Sequence, residues 1–190
     1  MQRREFNQHL QRSAIAMALA PWLSAVAAPA DKPRVWHTNP FALGVASGRP
    51  RADSMVLWTR LLFSEEDRAA GADALRVSVE VFADAALKRR VQKAEALTNE
   101  ARAHSVHVHL QNLQPSTDYW YRFTQGNAQS TVGHTRTAPA LTADVRELRM
   151  ALSSCQHYEQ GQYIAHAEIA QQQLDFVLFM GDYIYESSNP

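Results

Sequence analysis

One cysteine is all that this chain of 190 residues holds, so Cys155 has no partner for an intramolecular disulfide. An excess of charge of either sign is missing too. The 19 Lys and Arg residues balance 19 Asp and Glu, for a formal net charge of +0 at pH 7. With no basic stripe interleaved with aromatics, no nucleic-acid-binding surface is evident. Internal repeats and low-complexity tracts are absent from the sequence, which removes solenoids and flexible tails. Long hydrophobic runs are also lacking. The most extended one, near the N-terminus, is broken by Pro21 and is too short to span ~30 Å of hydrocarbon, so no stable membrane anchor is expected. What remains is an ordinary globular composition, 46% hydrophobic, enough for one large domain or two small ones.

The first 30 residues read as a targeting segment rather than as fold. Arg3-Arg4-Glu5-Phe6 is a twin-arginine opening. An apolar run from Ser13 to Leu23 follows, with small-residue cleavage candidates at Ala25-Val26-Ala27 and Ala28-Pro29-Ala30. Basic start, apolar middle and small-residue end describe a twin-arginine export signal over residues 1–30. The expected partner is the twin-arginine export machinery, and the expected location is periplasmic or secreted. In an oxidising compartment an unpaired thiol such as Cys155 is expected to be buried, metal-bound or catalytic.

Residues 31–144 read as a series of short strands with turns between them. Asp53–Leu61 has strand composition, with Val56 and Trp58 alternating toward one face, Trp58 being a candidate core residue. Leu75, Val77, Val79 and Val81 alternate cleanly, as do Val106, Val108 and Leu110, which leaves His107 and His109 outward. Tyr119-Trp120-Tyr121-Arg122-Phe123 resumes the alternation after a turn, and Gln129–Thr135 is a candidate last strand. This spacing predicts an antiparallel sandwich. The stretch Leu113-Gln114-Pro115-Ser116-Thr117-Asp118-Tyr119 resembles the corner before a late strand in fibronectin type III domains. There the tyrosine hydroxyl, here that of Tyr119, ties back to nearby backbone. Thr137–Ala140 reads as a linker.

Residues 145–190 change pattern. A strand is expected over 148–153 and a helix over 162–173, with Ile164, Ala165, Ala167, Ile169 and Ala170 forming its apolar surface. A nearly all-apolar strand over 175–180 should be covered on both faces. The connection is long enough for a parallel β-α-β crossover. Cys155 follows the first of these strands and Asp182 the second, at the edge where open α/β sheets place functional groups. An aspartate after a strand is often a helix cap, and a lone cysteine often a small core residue. Together at neighbouring strand ends they are within reach of one ion, with Tyr185 as a further oxygen donor. His157, two residues past Cys155, is a minor candidate for approaching substrate.

Phe41-Ala42-Leu43-Gly44-Val45-Ala46-Ser47-Gly48, Val56-Leu57-Trp58-Thr59-Arg60, Ser154-Cys155-Gln156 and Gly181-Asp182-Tyr183-Ile184-Tyr185-Glu186 resemble the alkaline phosphatase D (PhoD-like) family of metallophosphatases. The resemblance runs in order over roughly residues 40–186. The Ser-Cys strand end favours this family over the wider calcineurin-like group, whose first motif is Asp-x-His. The resemblance implies a mixed fold. A fibronectin type III-like β-sandwich is followed by the βαβ start of an α/β calcineurin-like metallophosphatase domain.

In function it implies an exported metal-dependent alkaline phosphatase and phosphodiesterase, acting on small phosphate esters with iron and calcium. Cys155 and Tyr185 would bind iron, and Asp182 would bridge iron to calcium. No catalytic or substrate-binding residue is assigned. The family's later asparagine and its downstream Asp and His ligands have no counterpart before Pro190. This chain is therefore expected to be the N-terminal portion of a longer enzyme, inactive by itself. The competing expectation is a non-catalytic exported binding module, with the sandwich as the working part and the β-α-β end as a remnant.

Overall fold

The computed structural model describes residues 34–69, 74–157 and 159–185, so the export signal expected over residues 1–30 lies outside the described residues. Strands β1 (Val45–Gly48), β2 (Met55–Arg60) and β5 (Ser105–Leu110) form an antiparallel sheet in the order β1-β2-β5. A second antiparallel sheet contains β3 (Ala74–Phe82), β4 (Arg90–Asn99), β6 (Asp118–Gln125), β7 (Ala128–Gln129) and β8 (Gly133–Arg136). Its order is β4-β3-β6-β7, with β8 also paired to β6. One core joins the two sheets: Met55, Leu57, Val106, Val108 and Leu110 meet Val77, Val79, Val81, Tyr121 and Phe123. That makes the N-terminal part a β-sandwich.

The corner before β6 is braced as its resemblance to the fibronectin type III corner implies. The backbone N–H of Gln114 donates to the Tyr119 hydroxyl at 2.9 Å. Tyr119→Phe should therefore cost about 1 kcal/mol in a denaturant melt of residues 31–190, since it strands one backbone donor. An unchanged midpoint would show that the bond carries nothing.

Three features differ from the sequence reading. Val56 and Trp58 are only half-buried; the inward set on β2 is Met55, Leu57 and Thr59. Both sides of β2 are apolar, so composition left the face open, and Thr59 is tolerated inside because its hydroxyl donates to Gly44 O at 2.8 Å. Gln129–Thr135 is not one strand. From Thr124 to Tyr121 on β6 the partners run from Gln129 to Gly133, one residue more, so the strand bulges between β7 and β8. Ser130 bridges the break, its Oγ accepting from the Phe123 N–H at 3.0 Å and its own N–H reaching Phe123 O at 3.0 Å. The linker Thr137–Ala140 is partly docked: Thr137 N–H donates to Thr117 O and Ala138 N–H to Arg51 O, both at 3.1 Å.

The segment leading into the sandwich is clamped to both sheets. Trp36 is buried and its indole N–H donates to the Gln125 backbone carbonyl at 3.1 Å. The short helix α1 (Glu65–Ala69) begins at Ser64, whose hydroxyl donates to Asp67 Oδ2 at 2.8 Å while Asp67 N–H returns to it at 3.1 Å. Asp67 Oδ1 accepts from His37 N–H at 3.2 Å. Burial alone would push the Asp67 carboxyl up. The hydrogen bonds from Ser64 and His37 outweigh it and hold the group at about 2.

After the sandwich, β9 (Met150–Ser153) and β10 (Phe176–Phe179) pair in parallel, Met150 opposite Phe176, with α2 (Ile164–Ile169) between them in sequence. Arg136 on β8 reaches Asp175 at 3.6 Å, and Asp175 Oδ2 accepts the Arg149 N–H at 2.9 Å. The expectation that β10 is covered on both faces fails: Phe176, Val177 and Leu178 are 36, 44 and 48% exposed. Among the described residues they are only partly covered, so an apolar run alone did not establish burial. The helix is also shorter than expected and turns another side inward. Ile164 is exposed, while Tyr163, His166 and Ile169 are half-buried, because the His166 ring stacks on Phe179 at 6.0 Å.

Candidate metal centre

The backbone brings the two strand ends together. Past β9 and β10 the parallel ladder continues through Met180 N–H to Ser153 O at 2.8 Å, Cys155 N–H to Gly181 O at 3.1 Å and Gln156 N–H to Asp182 O at 3.3 Å. Gly181 has φ +150°, a conformation costly for any residue with a Cβ. Cys155 and Asp182 both adopt left-handed backbone, φ 56° and 51°. Non-glycine residues in that region carry strain, and such residues cluster at functional sites. Here the strain falls on two residues of the expected donor set.

Their side chains converge. The Cys155 thiol donates to Asp182 Oδ2 at 3.4 Å, and the Tyr185 hydroxyl donates to the same oxygen at 3.0 Å. All three expected donors thus meet at one carboxylate oxygen. Cys155 is exposed and Tyr185 is 41% exposed, so the cluster opens to solvent. Loss of hydration around the phenol, followed by its hydrogen bond to Asp182, pushes the Tyr185 hydroxyl up to about 12. Among the described residues, no three of His, Cys, Asp and Glu gather to hold a metal ion. The cluster supplies two of those types and completes its set with a phenol.

His157 lies beside the cluster rather than in it: its ring centroid is 5.0 Å from that of Tyr185. Gln156 received no role from the sequence, yet its side-chain Oε1 is buried without a partner among the described residues. No periodicity could have flagged it, because it follows a strand end. His107 and His109 are exposed on the outer face of β5, and among the described residues nothing joins them to Cys155 or Asp182. No helix among the described residues is long and apolar enough to cross a membrane.

Comparison with known proteins gives the class first. The model for the PhoD-like phosphatase N-terminal domain matches residues 26–139, and that for PhoD-like phosphatase matches residues 150–190. The chain belongs to the PhoD-like phosphatase family, as the N-terminal portion of it. Among particular relatives, alkaline phosphatase D of Bacillus subtilis (strain 168) is 43% identical over 154 residues, which cover 80% of this chain. A solved structure of PhoD superposes with a TM-score of 0.74 at 42% identity, again over 80% of this chain. The match spans 26% of the curated relative and 29% of the solved chain, so this sequence accounts for about a quarter of their length.

Proposed function

We propose that this chain carries one side of the metal centre of an exported phosphatase that hydrolyses phosphate monoesters and diesters. The observation that carries the reading is the convergence of the Cys155 thiol, the Asp182 carboxylate and the Tyr185 hydroxyl on one oxygen. The donor set fits the implied ions. Thiolate and phenolate suit iron, and the carboxylate has a second oxygen with which to bridge to a harder ion such as calcium. Cys155 and Tyr185 would hold iron, with Asp182 shared between the two. Each of the two hydrogen bonds now in the cluster is a proton that loading must expel. The chemistry the ions supply when bound is neutralisation of phosphate oxygens and acidification of water.

What this chain's own residues do is orient. The ladder from Cys155 to Gly181 and from Gln156 to Asp182 fixes the thiol and the carboxylate on the same rim. Calcium asks for six to eight oxygen ligands, roughly, so Asp182 meets a small part of the demand. The family resemblance assigns the rest to segments that have no counterpart in residues 1–190. Residues 31–190 alone should therefore retain little iron and leave both ester types intact. The complete gene product, loaded with iron and calcium, should hydrolyse both at alkaline pH and lose activity to a chelator. Metal-dependent turnover by residues 31–190 alone would overturn this division of donors.

The twin-arginine route is part of the proposal and rests on Arg3, Arg4 and the run behind them, outside the described residues. Changing both arginines to lysine keeps the charge but removes the guanidinium pair. Cell fractionation should then find precursor accumulating in the cytoplasm. An unchanged periplasmic yield would remove that route.

A further inference from the structure

We propose that His157 is a positioning residue for Tyr185, clasping the phenol ring so that its oxygen stays on the donor cluster. The inference rests on the metal-site reading above. Tyr185 lies in the irregular stretch after β10, three residues past Asp182. Its hydroxyl end is held by Asp182 at 3.0 Å; its ring meets the imidazole of His157 at 5.0 Å between centroids, tilted by 39°. His157 belongs to the other loop, the one that carries Cys155. The ring contact therefore links the two loops at side-chain level, beyond the backbone ladder at Cys155 and Gln156.

The imidazole is itself oriented. Glu159 N–H donates to His157 Nδ1 at 3.3 Å. A second ring contact holds the residue next to Asp182: Tyr183 packs edge-on against Phe179 at 4.7 Å, and Phe179 stacks on His166. Tyr183 is thus anchored to β10 and α2, and Tyr185 to the Cys155 loop. Both tyrosines follow Asp182 in the chain, so both contacts hold the segment that leaves it. A group that orients a ligand without touching the ion typically changes metal affinity by roughly 10- to 100-fold when removed.

The test uses the complete gene product purified with iron, and reads iron affinity together with the visible absorption of an iron-bound phenolate. Tyr185→Phe should abolish that absorption. His157→Ala should weaken iron binding about 10-fold or more and shift the absorption. His157→Phe, which keeps a ring, should restore affinity to within about threefold of the starting protein. In the metal-free protein, His157→Ala should also move the Tyr185 ring resonances in an NMR spectrum of tyrosine-labelled chain, while those of Tyr119 and Tyr121 in the sandwich stay unmoved.

If no Tyr185-dependent absorption exists, both the metal reading and this inference fall. If it exists and His157→Ala leaves it and the ring resonances unchanged, the inference alone falls. A His157→Phe variant as impaired as His157→Ala would overturn the ring clasp. Far-UV circular dichroism on each variant identifies one that has not folded, and the ring resonances of His157→Phe then decide the question.

Discussion

Asp182→Asn in the complete gene product is expected to lower hydrolysis of a phosphate ester by about a thousandfold or more. Asp182 Oδ2 is the acceptor that both Cys155 and Tyr185 address, so the carboxylate is the hub of the cluster. Exchanging it for an amide removes the negative charge and replaces one oxygen with a nitrogen that can only donate. Neither change disturbs the ladder, because Gln156 pairs with the Asp182 backbone carbonyl rather than its side chain. Iron content should fall together with turnover while the melting of the sandwich stays where it was. Steady-state kinetics on a monoester, with metal analysis of the same sample, check this. Activity within a few-fold of the starting protein would remove Asp182 from the site.

Gly133→Ala is expected to destabilise the sandwich by about 3 kcal/mol or more. A Cβ on Gly133 would lie 2.3 Å from Tyr121 Cζ and 2.6 and 2.7 Å from its Cε atoms, well inside contact distance. Tyr121 cannot yield easily. Tyr121 is 1% exposed, ring and hydroxyl together, and its ring meets Phe123 edge-on at 6.1 Å. Burial pushes that hydroxyl up to about 12, as expected for a phenol sealed between two sheets. Gly161→Ala is the matched control. Nothing lies within 4 Å of a Cβ there, so the change should stay within about 0.5 kcal/mol. Denaturant midpoints for the two variants of residues 31–190 should differ accordingly. Equal midpoints would mean that Gly133 is not tightly packed against Tyr121.

The strands legible in the sequence were those whose two faces differ in chemistry. Val77, Val79 and Val81 alternate with Ser78 and Glu80, and Val106, Val108 and Leu110 with His107 and His109; both sets are buried as the alternation requires. β2 misled because Met55 and Leu57 are as apolar as Val56 and Trp58. Pairing with β5, which places Leu57 opposite Val108, settles which set faces the core. β4 gave no strand signal at all. Arg90–Asn99 is rich in Ala, Glu, Lys and Leu, residues that favour helix in isolation. It is a strand because β3 offers it a partner along its whole length, and its charges suit its place at the sheet edge.

That Cys155 and Asp182 stand at neighbouring strand ends, with Tyr185 close behind, was legible because apolar runs mark where strands stop. The left-handed backbone at Cys155 and Asp182 was not, and neither was the contact between His157 and Tyr185. Both arise from the meeting of two loops, and periodicity carries no information about loops.

The iron K-edge absorption fine structure of the complete gene product, recorded alongside its Cys155→Ser variant, asks directly whether Cys155, Asp182 and Tyr185 hold one metal ion. A sulfur scatterer beside oxygen or nitrogen neighbours is expected in the starting protein, and that scatterer should vanish in the variant. Iron surrounded by light atoms alone, or a sulfur shell that survives Cys155→Ser, would contradict the assignment.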